Sequence, residues 1–281
     1  MPHFRLHPAA DVAPADLHAA FTTAFADYLI GPFRQPLELW PRFLARQGVD
    51  IGRSRVAVGD AGILAFALVA PRADVASWRL GVMGAVPAAR GTGAAPALLD
   101  DFIARAKGEG QRRVELECFA QNERGLRLYR GRGFAGVAPL HGYGSEGVGP
   151  SGLASGAVPV GLDEAFAWID GLARARGDLP LQVTSVSLRA QPMHLHAWRC
   201  NGAQVVAAGT APDQVTVLSL LDTEPGQGGT PALIGALRQQ WPEASLHVPQ
   251  LQRDDLGGDA LRRLGFQPLP LHQLLMHRPL A

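Results

Sequence analysis

Two glycines frame a single threonine in the stretch Val86 to Leu99, VPAARGTGAAPALL, and the order of shapes around them suits an anion. Gly91 and Gly93 admit positive φ and let backbone come close to a ligand, while Ala94 and Ala95 keep side chains out of the way. Pro96 falls in the first turn of a helix, where a missing N–H does little harm. A strand ending at Pro87 and a helix opening after Gly93 would bring unpaired N–H groups and a helix N-terminus to one point, and such a point binds phosphate. The stretch lacks the G-K-[ST] of a triphosphatase loop and the third glycine of a dinucleotide fingerprint. The residues alone therefore read either as a site for a phosphate-bearing ligand or as a glycine-rich turn with no ligand.

Other chemistries find little support. Cys118 and Cys200 stand 82 positions apart, in no C-x-x-C or histidine-containing spacing, so neither a disulfide framework nor a zinc site is suggested. His194 and His196 alternate on one strand face in MHLHAW without a third ligand and read as structural; no metal is expected. With 26 basic and 25 acidic residues the formal charge is +1, which gives no electrostatic case for nucleic acid or an anionic membrane. A small ligand is the expectation.

The elements that must position the glycine stretch follow from periodicity. The segments Pro14 to Leu29 and Pro36 to Gln47 carry apolar residues at helical spacing. SRVAVGD and GILAFALVAP read as two strands joined at GDAG, and VASWRLGVMGAV as a third strand running into the glycines. APALLDDFIARAKGEG is an amphipathic helix closed by glycine, RRVELECFA a strand, and NERGLRLYRGRGF a short helix stopped by Gly131 and Gly133. This order predicts an α/β fold with a mixed sheet flanked by helices. Glycine and serine crowd together from Gly142 to Pro159, placing a linker at 145–157 between a domain at 1–144 and another at 158–281. At 281 residues the chain is long enough for two domains. The second half repeats the order of the first in shorter form: when Pro231 is laid on Pro96, Gly228 falls on Gly93, Gly226 on Gly91 and Leu233 on Leu98. A duplicated unit is the reading. The longest apolar run, AGILAFALVA, is too short to span a bilayer, and the first residues lack the apolar core of an export signal, so the expected location is cytoplasmic. High Ala, Gly, Pro and Arg usage hints at a GC-rich bacterial source.

Arg90-Gly91-Thr92-Gly93-Ala94-Ala95 resembles the Q/R-x-x-G-x-G/A signature of the GNAT superfamily of N-acetyltransferases, with Pro87 three residues ahead. The later LECFAQNERGLRLYRGRGF resembles the family's second motif through Asn122, Tyr129, Gly133 and Phe134. The likeness covers about residues 3 to 143 well and the second half weakly. It implies two tandem GNAT-like domains, each with a centrally splayed sheet, and acetyl-coenzyme A lying between two diverging parallel strands. The pyrophosphate of coenzyme A would rest on the amides of Arg90, Gly91, Thr92, Gly93, Ala94 and Ala95, and its pantetheine arm would pair with Met83, Gly84, Ala85 and Val86. Gly84 would mark a bulge there.

The resemblance also makes Tyr129 the proton donor to the departing thiolate, a role that a phenol with a pKa of about 10 can fill at neutral pH. Asn122 would hold the pantetheine or cap the following helix. Glu117, opposite in phase to Leu116 and Cys118, is the candidate base, against a solvent-facing carboxylate or a water chain to bulk. The family's acceptor side points to Asp27, Tyr28 and Arg34, with packing by Phe25, Tyr28 and Phe33 as the simpler view. In the second copy Pro225 replaces Arg90, Thr230 replaces Ala95 and Leu261 stands where Tyr129 would, so that copy is expected to be catalytically silent. The expected partner is a small-molecule or peptide amine, with the chain a monomer that mimics a dimer, or a homodimer. A non-catalytic acyl-CoA sensor or scaffold, and a nucleotide-binding protein using the glycine loop alone, are the competing readings.

Overall fold

The computed structural model describes residues 4–146, 156–211 and 213–280. Most of the linker expected at 145–157 lies outside the described residues. The chain divides into two compact units, and each mixes strands and helices.

The first unit runs from β1 (Arg5–Pro8) through α1 (Pro14–Ala24), α2 (Trp40–Arg46), β2 (Asp50–Gly59), β3 (Gly62–Arg72), β4 (Ser77–Ala85), α3 (Ala94–Gly108) and β5 (Arg113–Phe119) to α4 (Glu123–Arg130). Strands β1 to β4 pair in antiparallel order, and β4 pairs with β5 in parallel. Helix α1 buries Leu17, Ala20, Phe21 and Ala24, one stripe at helical spacing. Phe21 packs its ring against Phe25, Phe33, Trp40, Phe43 and Phe66, which joins both helices to the sheet. On the sheet's other face α3 buries Ala94, Leu98, Leu99, Phe102, Ile103 and Ala106. Covered on both faces, β3 is fully buried from Ala65 to Ala70. Helix α1 ends at Ala24 rather than Leu29, and the Phe33 N–H donates to the Phe25 carbonyl, closing a loop that contains Gly31 and Pro32.

The rest of the chain forms β6 (Ala135–Ser145), β7 (Val158–Pro159), α5 (Leu162–Arg176), α6 (Ser185–Arg189), β8 (His196–Cys200), β9 (Ala203–Ala211), β10 (Gln214–Asp222), α7 (Thr230–Gln240), β11 (Ser245–Gln252), α8 (Gly258–Arg263), β12 (Gln267–Pro268) and β13 (Gln273–Pro279), and the second unit takes it as far as Leu275. Strands of the second unit pair in the order β7, β8, β9, β10, β11, β6, with β12 on β6; β10 and β11 run parallel, and these other pairs are antiparallel. Two antiparallel strands, a third strand, a glycine loop, a helix and a parallel strand thus recur in the same order in both units.

Strand pairing departs from the expected division at 144 and 158. Gly136–Leu275 belongs to the second unit, whereas Met276–Ala281 belongs to the first. In the first unit β13 lies beside β5, and the Leu280 N–H donates to the Arg112 carbonyl at 2.9 Å. The sequence suggested neither this last strand nor β1.

Candidate active site

Strands β4 and β5 pair only over Ser77 with Arg113, Trp78 with Val114, and Arg79 with Glu115. Beyond Arg79 they part. The divergence begins at a bulge: Val82 faces Leu68 and Leu80 faces Val69, leaving Gly81 unpaired. This corrects the expectation of a bulge at Gly84, which pairs regularly with Phe66. Gly84 is required for another reason. A Cβ there would stand 2.6 Å from Phe66 Cζ and 3.2 Å from both Ala24 Cβ and Phe25 Cε2, so a larger residue would push the aromatic cluster off the strand. From Val82 to Ala85 the strand keeps one edge that β5 does not cover.

That edge leads into the glycine loop. After a short turn at Pro87–Ala89, Gly91 takes φ +87° and Gly93 takes φ +91° as the residue before α3. The Thr92 hydroxyl donates to the Ala89 carbonyl at 2.7 Å and braces the loop from inside. Among the described residues the Gly91 and Gly93 N–H groups have no acceptor, and Ala95 lies in the helix's first turn, where an N–H has no carbonyl of the helix to bond. A Cβ on either glycine would meet nothing within 4 Å, so the loop's outer face is open. Unpaired donors at the start of a 15-residue helix suit a diphosphate, and the uncovered strand edge suits an amide-bearing arm. The residues present therefore fit coenzyme A.

At the opening between the strands, Tyr28, Cys118, Asn122 and Tyr129 come together from three elements. Asn122 caps α4, its Oδ1 accepting from the Gly125 N–H at 3.0 Å, and its side chain also hydrogen-bonds Tyr28. Burial pushes the Tyr28 phenol up to about 12 and the Cys118 thiol up to about 12. Burial also raises the Tyr129 phenol far above its ordinary value, with Cys118 and Tyr28 adding to the effect. Tyr129 packs edge-on to Phe134 at 6.0 Å, and its phenol keeps its proton throughout the neutral range.

Two ion pairs lie nearby. Glu117 is not the solvent-facing carboxylate that one reading allowed. Its Oε2 accepts from Arg79 Nε at 2.7 Å and Nη2 at 2.6 Å, with both side chains 2% exposed, while Oε1 is buried without a partner. Taking a proton there would leave the buried guanidinium without its counter-charge. Arg90 and Asp27, expected on the coenzyme and acceptor sides, meet each other: the guanidinium donates to both carboxylate oxygens at 2.6 Å, and this hydrogen bonding holds the Asp27 carboxyl below its usual range. Arg34 is exposed. Sequence reasoning missed Arg79, although an arginine within an apolar strand calls for a buried counter-charge. It also passed over Cys118 as a site neighbour, although strand alternation already set it opposite Glu117.

The corresponding loop of the second unit is filled from within. Gly226 repeats the positive φ of Gly91 at +76°. Here the fully buried Asp222 accepts from the Thr230 N–H and hydroxyl, each at 2.8 Å, and from the Glu224 N–H at 3.0 Å. A carboxylate of the chain thus occupies the helix N-terminus. Leu261 is fully buried. His194 and His196 pack their rings together at 4.6 Å, and His196 stacks on Trp198.

A sheet splayed beside an open amide loop offers backbone donors and a free strand edge to one extended, phosphate-bearing ligand. Residues 19–134 match the acetyltransferase (GNAT) family. The fold is also that of solved acetyltransferase structures. A GCN5-related N-acetyltransferase from Kribbella flavida superposes with a TM-score of 0.65 at 14% identity, covering 99% of this chain and 71% of its own. One from Sphaerobacter thermophilus gives 0.64 at 16%, covering 99% and 96%, and a putative acetyltransferase from Pyrococcus horikoshii gives 0.63 at 16%, covering 99% and 89%. The shared fold extends across both units. No curated protein matches the sequence. Among the described residues no helix is long and apolar enough to cross a membrane.

Proposed function

We propose that the chain transfers an acetyl group from acetyl-coenzyme A to a primary amine by direct attack, at one active site in the first unit. The observation that carries this reading is the uncovered edge of β4 leading directly into the open amides of the loop at 91–95. Bound there, acetyl-coenzyme A supplies an activated thioester. The Gly91, Gly93 and Ala95 amides hold the diphosphate, and Val82 to Ala85 orient the pantetheine arm as an added strand. The Tyr129 hydroxyl keeps its proton at neutral pH and shares it with the leaving sulfur. Asn122 and Tyr28 brace the entrance to α4. The Arg79–Glu117 pair stiffens the fork, and the proton released by the amine passes to water. Asp222 and Leu261 support a silent second unit, since one fills the loop and the other offers no proton.

A turnover screen with acetyl-coenzyme A against small amines and peptide N-termini tests the activity, and thiol release with any acceptor separates an enzyme from an acyl-CoA sensor. With that acceptor, Tyr129→Phe is expected to lower kcat about 100-fold, within the usual range for a proton donor, while coenzyme affinity changes little. Unchanged kcat would remove Tyr129 from its role.

A further inference from the structure

Helix α4 spans eight residues, too short to hold its own direction. Asn122 fixes its beginning. Its end is the turn from Gly131 to Phe134, closed on Tyr129 itself, whose carbonyl accepts from the Arg132 N–H at 3.0 Å and the Phe134 N–H at 3.2 Å. Whatever holds this turn therefore holds the tyrosine. Arg132 pairs with Asp100 on α3, but Asp100 is more than half exposed, and such a pair constrains little.

Phe134 anchors the far side of the turn by its buried ring, and a further, polar tie comes from β13. Arg278 Nη1 donates to the Arg132 carbonyl at 2.6 Å. Gly133 has φ +80°, and Arg278 Nε and Cδ lie 3.8 and 3.9 Å from where its Cβ would be, so the arginine stem runs across the glycine. Among the described residues no carboxylate pairs with Arg278, and its charge lies close to the C-terminal end of α4, where carbonyls point outward and a cation is favoured. The strand that carries it is anchored on its own account: Met276 is buried, His277 Nε2 lies 3.9 Å from the buried Glu115 carboxylate, and Leu280 bonds Arg112.

We propose that Arg278 is a positioning residue for Tyr129, setting the phenol's place through the turn after α4. The inference rests on the reading of Tyr129 as proton donor. Displacing a reacting group by about 1 Å can cost about 100-fold in rate. Arg278→Ala is therefore expected to lower kcat about tenfold with the KM for acetyl-coenzyme A unchanged, because the loop at 87–95 is untouched. Arg278→Lys, which keeps a charged donor, is expected to recover most of it. The decisive variant is the double Arg278→Ala/Tyr129→Phe: an arginine acting through the tyrosine adds no loss beyond Tyr129→Phe alone. Amide hydrogen exchange in Arg278→Ala should quicken at 129–134 and stay unchanged at 91–95. Multiplying losses in the double variant, or full kcat in Arg278→Ala beside an impaired Tyr129→Phe, would overturn the inference alone. Full activity in Tyr129→Phe would overturn the donor reading and the inference together.

Discussion

Replacing Glu117 with glutamine separates structure from chemistry at the fork. Both side chains of its pair with Arg79 are 2% exposed, so the glutamine leaves a cation where water does not reach. Arg79 then keeps neutral acceptors alone, the new amide oxygen with the Gln47 carbonyl at 3.2 Å and the Gln47 side-chain oxygen at 3.5 Å. Removing one partner of a buried pair costs about 3–5 kcal/mol. At roughly 2–4 °C per kcal/mol for a domain of this size, the melting midpoint should fall by on the order of 10 °C. Removing both charges, as in Arg79→Met/Glu117→Leu, should restore stability, since apolar replacements of buried pairs are often neutral or better. The assay is calorimetry on both variants together with steady-state kinetics on the double variant. A structural pair predicts a double variant with near-normal midpoint, kcat within a few-fold and an unaltered acid limb in its pH profile. A stable double variant with kcat lowered about 100-fold and its acid limb lost would refute the reasoning and make Glu117 the general base.

Gly93→Ala forces a side chain onto φ +91° with nothing nearby to collide with, so the cost is backbone strain of about 1–2 kcal/mol; calorimetric titration should show weaker coenzyme A binding with the fold kept. A thiol reagent at pH 8 should modify the half-buried Cys200 in the native protein and Cys118 only after unfolding, and equal rates for the two would contradict the burial described. The Cys118 value is raised from 9.0 to about 12, so the folded state resists its ionisation: that share of stability is complete below pH 9 and is lost as pH rises toward 12. Melting midpoints should decline less steeply over that window in Cys118→Ala.

What the sequence discloses is what neighbouring residues determine together. Glycines that need positive φ, a proline that tolerates the first helical turn and a tyrosine one turn ahead of Gly133 each act within a dozen positions, so the loop and α4 can be read from spacing. Arg79 with Glu117, Arg90 with Asp27 and Asp222 with Thr230 are pairings made by strand register and loop closure, which spacing does not reveal. Gly81 and Gly84 show the same limit at close range: two glycines three residues apart on one strand, one released by a bulge and the other demanded by a phenylalanine ring across the sheet. The repeated order of elements was legible, whereas the return of the last strand to the first unit was not, because no local pattern tells a strand which sheet it will join.

That return has a consequence for biosynthesis. Residues 4–135 leave the ribosome before residues 276–280 and contain the splayed strands, the glycine loop and the tyrosine, yet the strand beside β5 arrives only when residues 276–280 have been made. The earlier of the two units is completed after the later one, and until then an open sheet edge stays exposed to any other strand in reach.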